Sequence, residues 1–353
     1  MRILLLILLL LSAPLRAADY TPVRPGVALQ FPRDFGAHPD FKTEWWYATG
    51  WLATEDGRQL GYQVTFFRSA TGHGRQNPSR FAPRDIIIGH AALSDPAQGK
   101  LLHDQRTARA GFGLADASQS DTDVRLDGWR MHRQPDGRYR IDIDAAGFTL
   151  ALVLAPSQPI LLQGEAGYSR KGPQPQQASY YYSKPQLATS GTITRRGGTP
   201  QTVQGSTWLD HEWSSEVLDP DAAGWDWVGA NLQDGGALMA FQIRDRRGGK
   251  LWAHATWRDA SGKITHYSQD QVSFTPQKRW RSPRTHAEYP VATLISTGPD
   301  QWLVSPLQPD QELDARRSSG AVYWEGAVTV QRDGRPAGRG YLEMTGYVRP
   351  MKL

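Results

Sequence analysis

The chain has 353 residues, no cysteine and a formal charge of +5, which excludes a disulfide framework and thiol catalysis. Its basic residues are dispersed, and no run interleaves Lys or Arg with stacking aromatics as a nucleic-acid groove requires. Beyond residue 18 no apolar stretch approaches the length of a membrane-spanning helix.

Met1-Arg2, the unbroken apolar run 3–11 and the small residues from Ala13 to Ala18 read as a cleavable secretory signal over residues 1–18. Without a lipobox Cys this predicts a periplasmic or secreted protein whose core alone supplies its stability. Residues 19–35 are punctuated by Pro and read as an extended segment. After them, period-two alternation dominates, as in residues 138–144 and 321–330, with little helical periodicity. Asp-Gly pairs at 56–57, 136–137, 234–235 and 333–334 separate such runs, where a hairpin turn needs φ > 0. The pattern predicts an antiparallel all-β protein. Residues 71–84 and 164–177 are the most loop-like stretches.

The chain nearly repeats itself. Glu44-Trp45-Trp46-Tyr47 through Tyr62-Gln63-Val64 matches Gly224-Trp225-Asp226-Trp227 through Phe241-Gln242-Ile243. His90-Ala91 with Asp95 matches His254-Ala255 with Asp259, and Gly191-Thr192-Ile193-Thr194 matches Gly326-Ala327-Val328-Thr329. Gly205 with Trp208-Leu209-Asp210 matches Gly338 with Tyr341-Leu342-Glu343. Two related units predict two barrels or sandwiches packed together, over residues 36–215 and 216–353, with the densest aromatic–acidic cluster at the seam.

Three constellations could carry chemistry. On a strand, Trp208, Asp210 and Glu212 share one face, and Leu209, His211 and Trp213 the other. Two carboxylates so placed are costly to bury unpaired. An apolar pocket makes one of them a general acid; a salt bridge to Arg244 or Arg349 makes them structural. In the second, Trp225 and Trp227 flank Asp226. An acid among indoles suits protonating an alkene and holding a carbocation, and a core Trp pair beside a solvent-facing Asp explains the same residues. The third is the aromatic supply of Trp45, Trp46, Tyr47, Trp51 and Tyr180-Tyr181-Tyr182, with Glu44 beside it. The nine His lie scattered without His-Glu-x-x-His, and no nucleophile elbow or nucleotide-binding loop occurs, so neither a metal nor a cofactor is expected.

His38-Pro-Asp-Phe-Lys-Thr-Glu-Trp-Trp-Tyr, Ala178-Ser-Tyr-Tyr-Tyr-Ser, Trp208-Leu-Asp-His-Glu-Trp-Ser-Ser, Gly224-Trp-Asp-Trp and Tyr323-Trp-Glu-Gly resemble the AttH-like branch of the carotenoid 1,2-hydratase superfamily. The resemblance implies two consecutive lipocalin-like β-barrels and a cofactor-free hydro-lyase that adds water to a C=C bond of a long apolar molecule, or cyclises it. Carried over, it implies Asp226 as proton donor and Trp225 or Trp227 as cation stabiliser. Asp210, His211 or Glu212 would position water, and Trp208, Trp213, Trp45, Trp46, Tyr47, Glu44 and Tyr181 would line the substrate site. The expected partner is an isoprenoid, polyene or lipid, with association to a membrane surface or an ABC transporter also open. A non-catalytic carrier of lipids and a carbohydrate-active β protein are the other function classes.

Overall fold

The computed structural model describes residues 20–73 and 77–351; the signal segment 1–18 lies outside them. Among the described residues all regular structure is β apart from three single-turn 3-10 helices. The first antiparallel sheet runs, in hydrogen-bonded order, Leu102–Arg109, Asp85–Ser94, Gln59–Ala70, Thr43–Thr54, Gln201–Glu216, Ala178–Arg195, Phe148–Ala155, Tyr139–Asp144, Trp129–Arg133, Asp123–Leu126, Ala115–Ala117. The second runs Ile264–Tyr267, Lys250–Arg258, Ala237–Asp245, Ala222–Leu232, Arg335–Met344, Ala321–Arg332, Asp300–Pro306, Glu288–Thr297, Val272–Arg281. The order is the same in both: four strands counted backwards from the fourth to the first, then the last, then the one before it. The first sheet nearly closes into a barrel. Gly89, on one limb, leaves no room for a Cβ against Leu126 and Trp129 on the far limb, and Arg106 donates to the backbone carbonyl of Asp144 at 2.6 Å.

The ladders put the repeat on a structural footing. Tyr47 stands opposite Asp210 and Thr65, and Trp227 opposite Glu343 and Phe241, so Phe241 takes the place of Thr65 and its match with Tyr62 is a correction of three positions. His90 stands opposite Thr65 as His254 stands opposite Phe241. The Gly191 match with Gly326 is a correction: Gly191 pairs with Val203, whereas Gly326 pairs with Leu342, the equivalent of Leu209. Gly326 thus stands in the place of Lys184, seven positions before Gly191, whereas the register shift between Lys184 and Leu187, with Gln186 at φ 58°, moves the ladder by only one residue.

Each sheet packs its own core, one around Trp129, Tyr139 and Leu152, the other around Tyr289, Trp302 and Trp324. A third apolar cluster, with Tyr47, Trp208, Trp227, Phe241 and Tyr341, joins the two sheets. The contact is reciprocal: the strand Thr43–Thr54 meets Arg335–Met344, and Ala222–Leu232 meets Gln201–Glu216.

His90 is buried and His254 half-buried, and both stay neutral, their imidazoles pushed down to about 3 by loss of water and then by neighbouring His103 and His266. His90 Nε2 meets Ser318 Oγ at 2.9 Å. The unfolded chain takes up these protons near pH 6.5 and the folded one does not, so both histidines withdraw stability as pH falls from about 6.5 towards 3. Relative to wild type, His90→Gln is expected to gain stability between about pH 6 and pH 4, by no more than about 1.4 kcal/mol per pH unit, in urea unfolding.

Candidate functional site

A cavity of about 90 Å³ lies between the sheets, at the end where Thr43 and the linker 217–221 leave the first sheet. Four carboxyl side chains line it: Asp210, Glu212, Glu325 and Glu343. Strand alternation brings Asp210 and Glu212 to this face with Trp208, as the i, i+2 spacing requires. Glu343 occupies the same place in the second sheet as Asp210 in the first. Glu325 stands directly opposite Glu343, where the first sheet has Ser183 opposite Asp210.

Asp210 Oδ1 accepts from Trp208 Nε1 and Ser183 Oγ, both at 2.6 Å, and its Oδ2 accepts from the Tyr181 hydroxyl at 2.8 Å. Burial nevertheless pushes its carboxyl up to about 7, because the loss of water outweighs three hydrogen bonds. Trp227 Nε1 donates to the Tyr181 hydroxyl at 3.2 Å, tying this group to the second sheet. Glu343 accepts from Trp225 Nε1 at 3.1 Å and is pushed up to about 8 by burial. Glu325 is raised well above the ordinary carboxyl range by burial and by Glu343 beside it. Among the described residues its Oε2 has no hydrogen-bond partner, nor has the buried Tyr47 hydroxyl. Lys171 forms an ion pair with Glu212 at 2.9 Å and lies 4.3 Å over the Phe241 ring. Lys171, the one cation lining the cavity among the described residues, is thus already paired, and at neutral pH the site holds protonated carboxyl groups among aromatic faces.

The expected site residues fall into three places. Asp210, Glu212, Trp45, Tyr47, Tyr181, Trp225 and Trp227 line the cavity, and Trp208 binds Asp210 at its edge. Asp226 does not join them. Alternation turns it away from both indoles, towards a separate cavity within the second sheet, where Arg244 Nε binds it at 3.1 Å, Gln242 Nε2 at 2.7 Å and Tyr347 at 3.0 Å. Arg244, considered above as a partner for Asp210 and Glu212, is engaged there.

Glu44, His211, Trp46 and Trp213 form the third group, on the opposite face of the strands from the cavity. Glu44 Oε1 meets His38 Nδ1 at 2.7 Å and His211 Nε2 at 2.8 Å, while Oε2 accepts from Arg68 Nε at 3.0 Å. Burial opposes its ionisation, but the imidazole hydrogen bonds win and hold Glu44 well below the usual carboxylate range. Burial also opposes protonation of His38, but its hydrogen bonds to Asp34, at 3.2 Å, and to Glu44 raise it, whereas burial prevails in His211 and lowers it. Trp213 stacks on His38 at 3.7 Å and Trp46 on His211 at 4.7 Å. The donor atoms of His38, Glu44 and His211 lie within 4.8 Å of one another, close enough for a shared metal ion. Arg68 already supplies the counter-charge and each imidazole already bonds the carboxylate, so the set balances without an ion.

Lys171, Glu325 and Glu343 were not among the expected site residues. The signal for Glu343 is in the repeat, which aligns it with Asp210, and Glu325 lies within Tyr323-Trp-Glu-Gly.

A family model described as AttH-like matches residues 22–347. Among solved structures, an AttH protein of Nitrosomonas europaea is 60% identical, covers 93% of this chain and 99% of its own, and superposes with a TM-score of 0.88. Kievitone hydratase from Nectria haematococca is 15% identical over 94% of this chain and 96% of its own, with a TM-score of 0.69. CghA with Sch210972 is 14% identical over 94% and 96%, with a TM-score of 0.55. At these two identities the likeness is one of the lipocalin-like fold. A search of curated proteins finds no match.

Proposed function

The chain belongs to the AttH-like family, and from that premise we propose that it is a secreted, cofactor-free hydratase that protonates a C=C bond of a long apolar molecule in the cavity between its sheets. The observation that carries this reading is the pair Glu325 and Glu343, facing each other in an aromatic cavity with burial favouring their neutral forms. Like-charged carboxylates so close cannot both ionise, so the pair holds a proton at neutral pH. Glu343 gives that proton to one alkene carbon, and the carbocation at the other is faced by Trp225, Trp227 and Tyr47. Water adds to the cation and its surplus proton passes to Asp210, whose three donors stabilise the ionised form. The net change is one water added and no redox step. Asp226 has no part in this reading, because Arg244 neutralises it outside the cavity.

Activity should follow a bell-shaped pH profile with limbs near 7, where Asp210 must be ionised, and near 8, where Glu343 must still carry its proton. Glu343→Gln and Asp210→Asn should each lower turnover by about 10²–10⁴-fold. The test compares mass spectra of organic extracts from wild type and Glu343→Gln, both exported in a native-like host. A ligand heavier by one water in the wild type alone supports hydration. The same unaltered ligand in both would replace the enzyme by a carrier.

A further inference from the structure

Among the described residues six large apolar side chains stand exposed, and three of them, Phe81, Phe112 and Leu114, lie in two loops at one end of the first sheet. Phe81 is 74% exposed and Phe112 57%, and their rings stack at 5.5 Å and 17°. Phe112 has φ 58°, between Gly111 at 96° and Gly113 at 76°. A bulky side chain rarely tolerates that conformation, so the backbone is strained to hold an aromatic ring out into water. The cations around it lack acids. Arg80 and Arg84 are exposed. Arg109 lies 4.8 Å over the Phe112 ring and bonds the backbone oxygen of Phe81 at 2.8 Å. Residues 77–84 and 109–114 contain no Asp or Glu, and Asp85, which follows, is taken by Arg68 at 2.8 Å.

We propose that these two loops dock the protein on an anionic lipid surface, with Phe81, Phe112 and Leu114 entering the headgroup boundary and Arg80, Arg84 and Arg109 meeting the phosphates. Exposed apolar side chains beside guanidinium groups that have no acidic partner among the described residues are complementary to such a surface on both counts. Charge complementarity selects this occupant over a second copy of the chain, which would bring the same arginines together. The loops also leave the end of the sheet at which the cavity lies: Thr43 pairs with Ser69, Ala70 with Asp85 and Ile86 with Arg109. Docking therefore turns the cavity end towards the store of apolar molecules; this last point rests on the proposed function, whereas the docking itself does not.

The test is co-sedimentation of the mature protein with vesicles of phosphatidylglycerol or of phosphatidylcholine, without added ligand. Wild type should sediment with the phosphatidylglycerol vesicles and be released by salt. Phe81→Ser/Phe112→Asn and Arg80→Ser/Arg84→Ser should each bind about tenfold or more weakly with unchanged thermal unfolding. Asn is chosen at 112 because it accepts positive φ. No sedimentation of the wild type, equal binding by the variants, or a dimer abolished by the Phe substitutions would overturn the proposal. Each of those outcomes leaves the extracted-ligand experiment standing.

Discussion

At about pH 8.5 the double variant Glu325→Gln/Glu343→Gln is expected to be more stable than the wild type by a few kcal/mol, and at about pH 5 to differ little from it. The Glu325 side chain is buried and Glu343 partly so, and removal from water raises Glu343 from 4.5 to about 8 and Glu325 well above the ordinary carboxyl range. A carboxyl whose folded pKa lies above its unfolded value keeps its proton in the folded state after the unfolded chain has lost it. Stability therefore declines as pH rises from about 4.5 to about 8 in this group's share. Each pH unit within that window is worth at most about 1.4 kcal/mol per group. Gln has the same shape and no charge to lose, so the decline is absent from the variant. Trp225 Nε1 still finds a carbonyl oxygen where it now finds Glu343. Taking the difference between the two proteins cancels the opposite contribution of His90 and His254. The measurement is urea unfolding of both at five or so pH values. A difference that stays flat with pH would mean the pair is solvated and ionised, and the proton donor would have to be sought elsewhere. A variant stabilised and inactive would show that the cavity keeps two costly acids for its chemistry.

Arg68→Met is expected to cost about 3–5 kcal/mol, the cost of leaving a buried charge without its partner. The Arg68 guanidinium is buried and makes four bonds: to Glu44, to Asp85 and to the backbone oxygens of His38 and Phe41. Those two carbonyls belong to the turn that delivers the strand carrying Glu44, Trp45 and Tyr47. Removing the cation strands Glu44 between imidazoles and frees the turn. Adding Glu44→Leu to Arg68→Met should recover part of the loss, because the orphaned carboxylate goes with it. Equilibrium unfolding of the single and double variants reads the coupling. A loss below about 1 kcal/mol for Arg68→Met would put the pair among surface-type ion pairs.

The strands and turns were legible because both are local. Asp333 and Gly334 adopt φ 49° and 79°, and Gly57, Gly137 and Gly235 lie between 83° and 88°, as the Asp-Gly pairs require. Alternation also placed Asp210 and Glu212 together and set Asp226 against its flanking indoles. It could not say which face of each strand meets the other sheet, since that depends on contacts hundreds of residues apart. Asp226 and Asp210 consequently looked like neighbours in chemistry, yet one is neutralised by Arg244 and the other sits at the seam. The match of Gly191 with Gly326 failed because a short Gly and β-branched stretch fits a strand at several offsets, and only the ladder fixes which residue it faces.

The reciprocal contact between the sheets has a consequence for ancestry. When the first strand of each half meets the last strand of the other, the arrangement is that of a two-fold dimer written into one polypeptide. A single barrel meeting its own copy through this contact would contribute the same acid twice, once from each side of the axis, as Asp210 and Glu343 now do. Identical subunits, however, can change only in pairs. Fusion lifts that constraint: Ser183 can face Asp210 while Glu325 faces Glu343, giving a proton reservoir on one side and a hydrogen-bonded carboxylate on the other. The asymmetry that acid–base chemistry needs is available to a duplicated chain and closed to a symmetric pair.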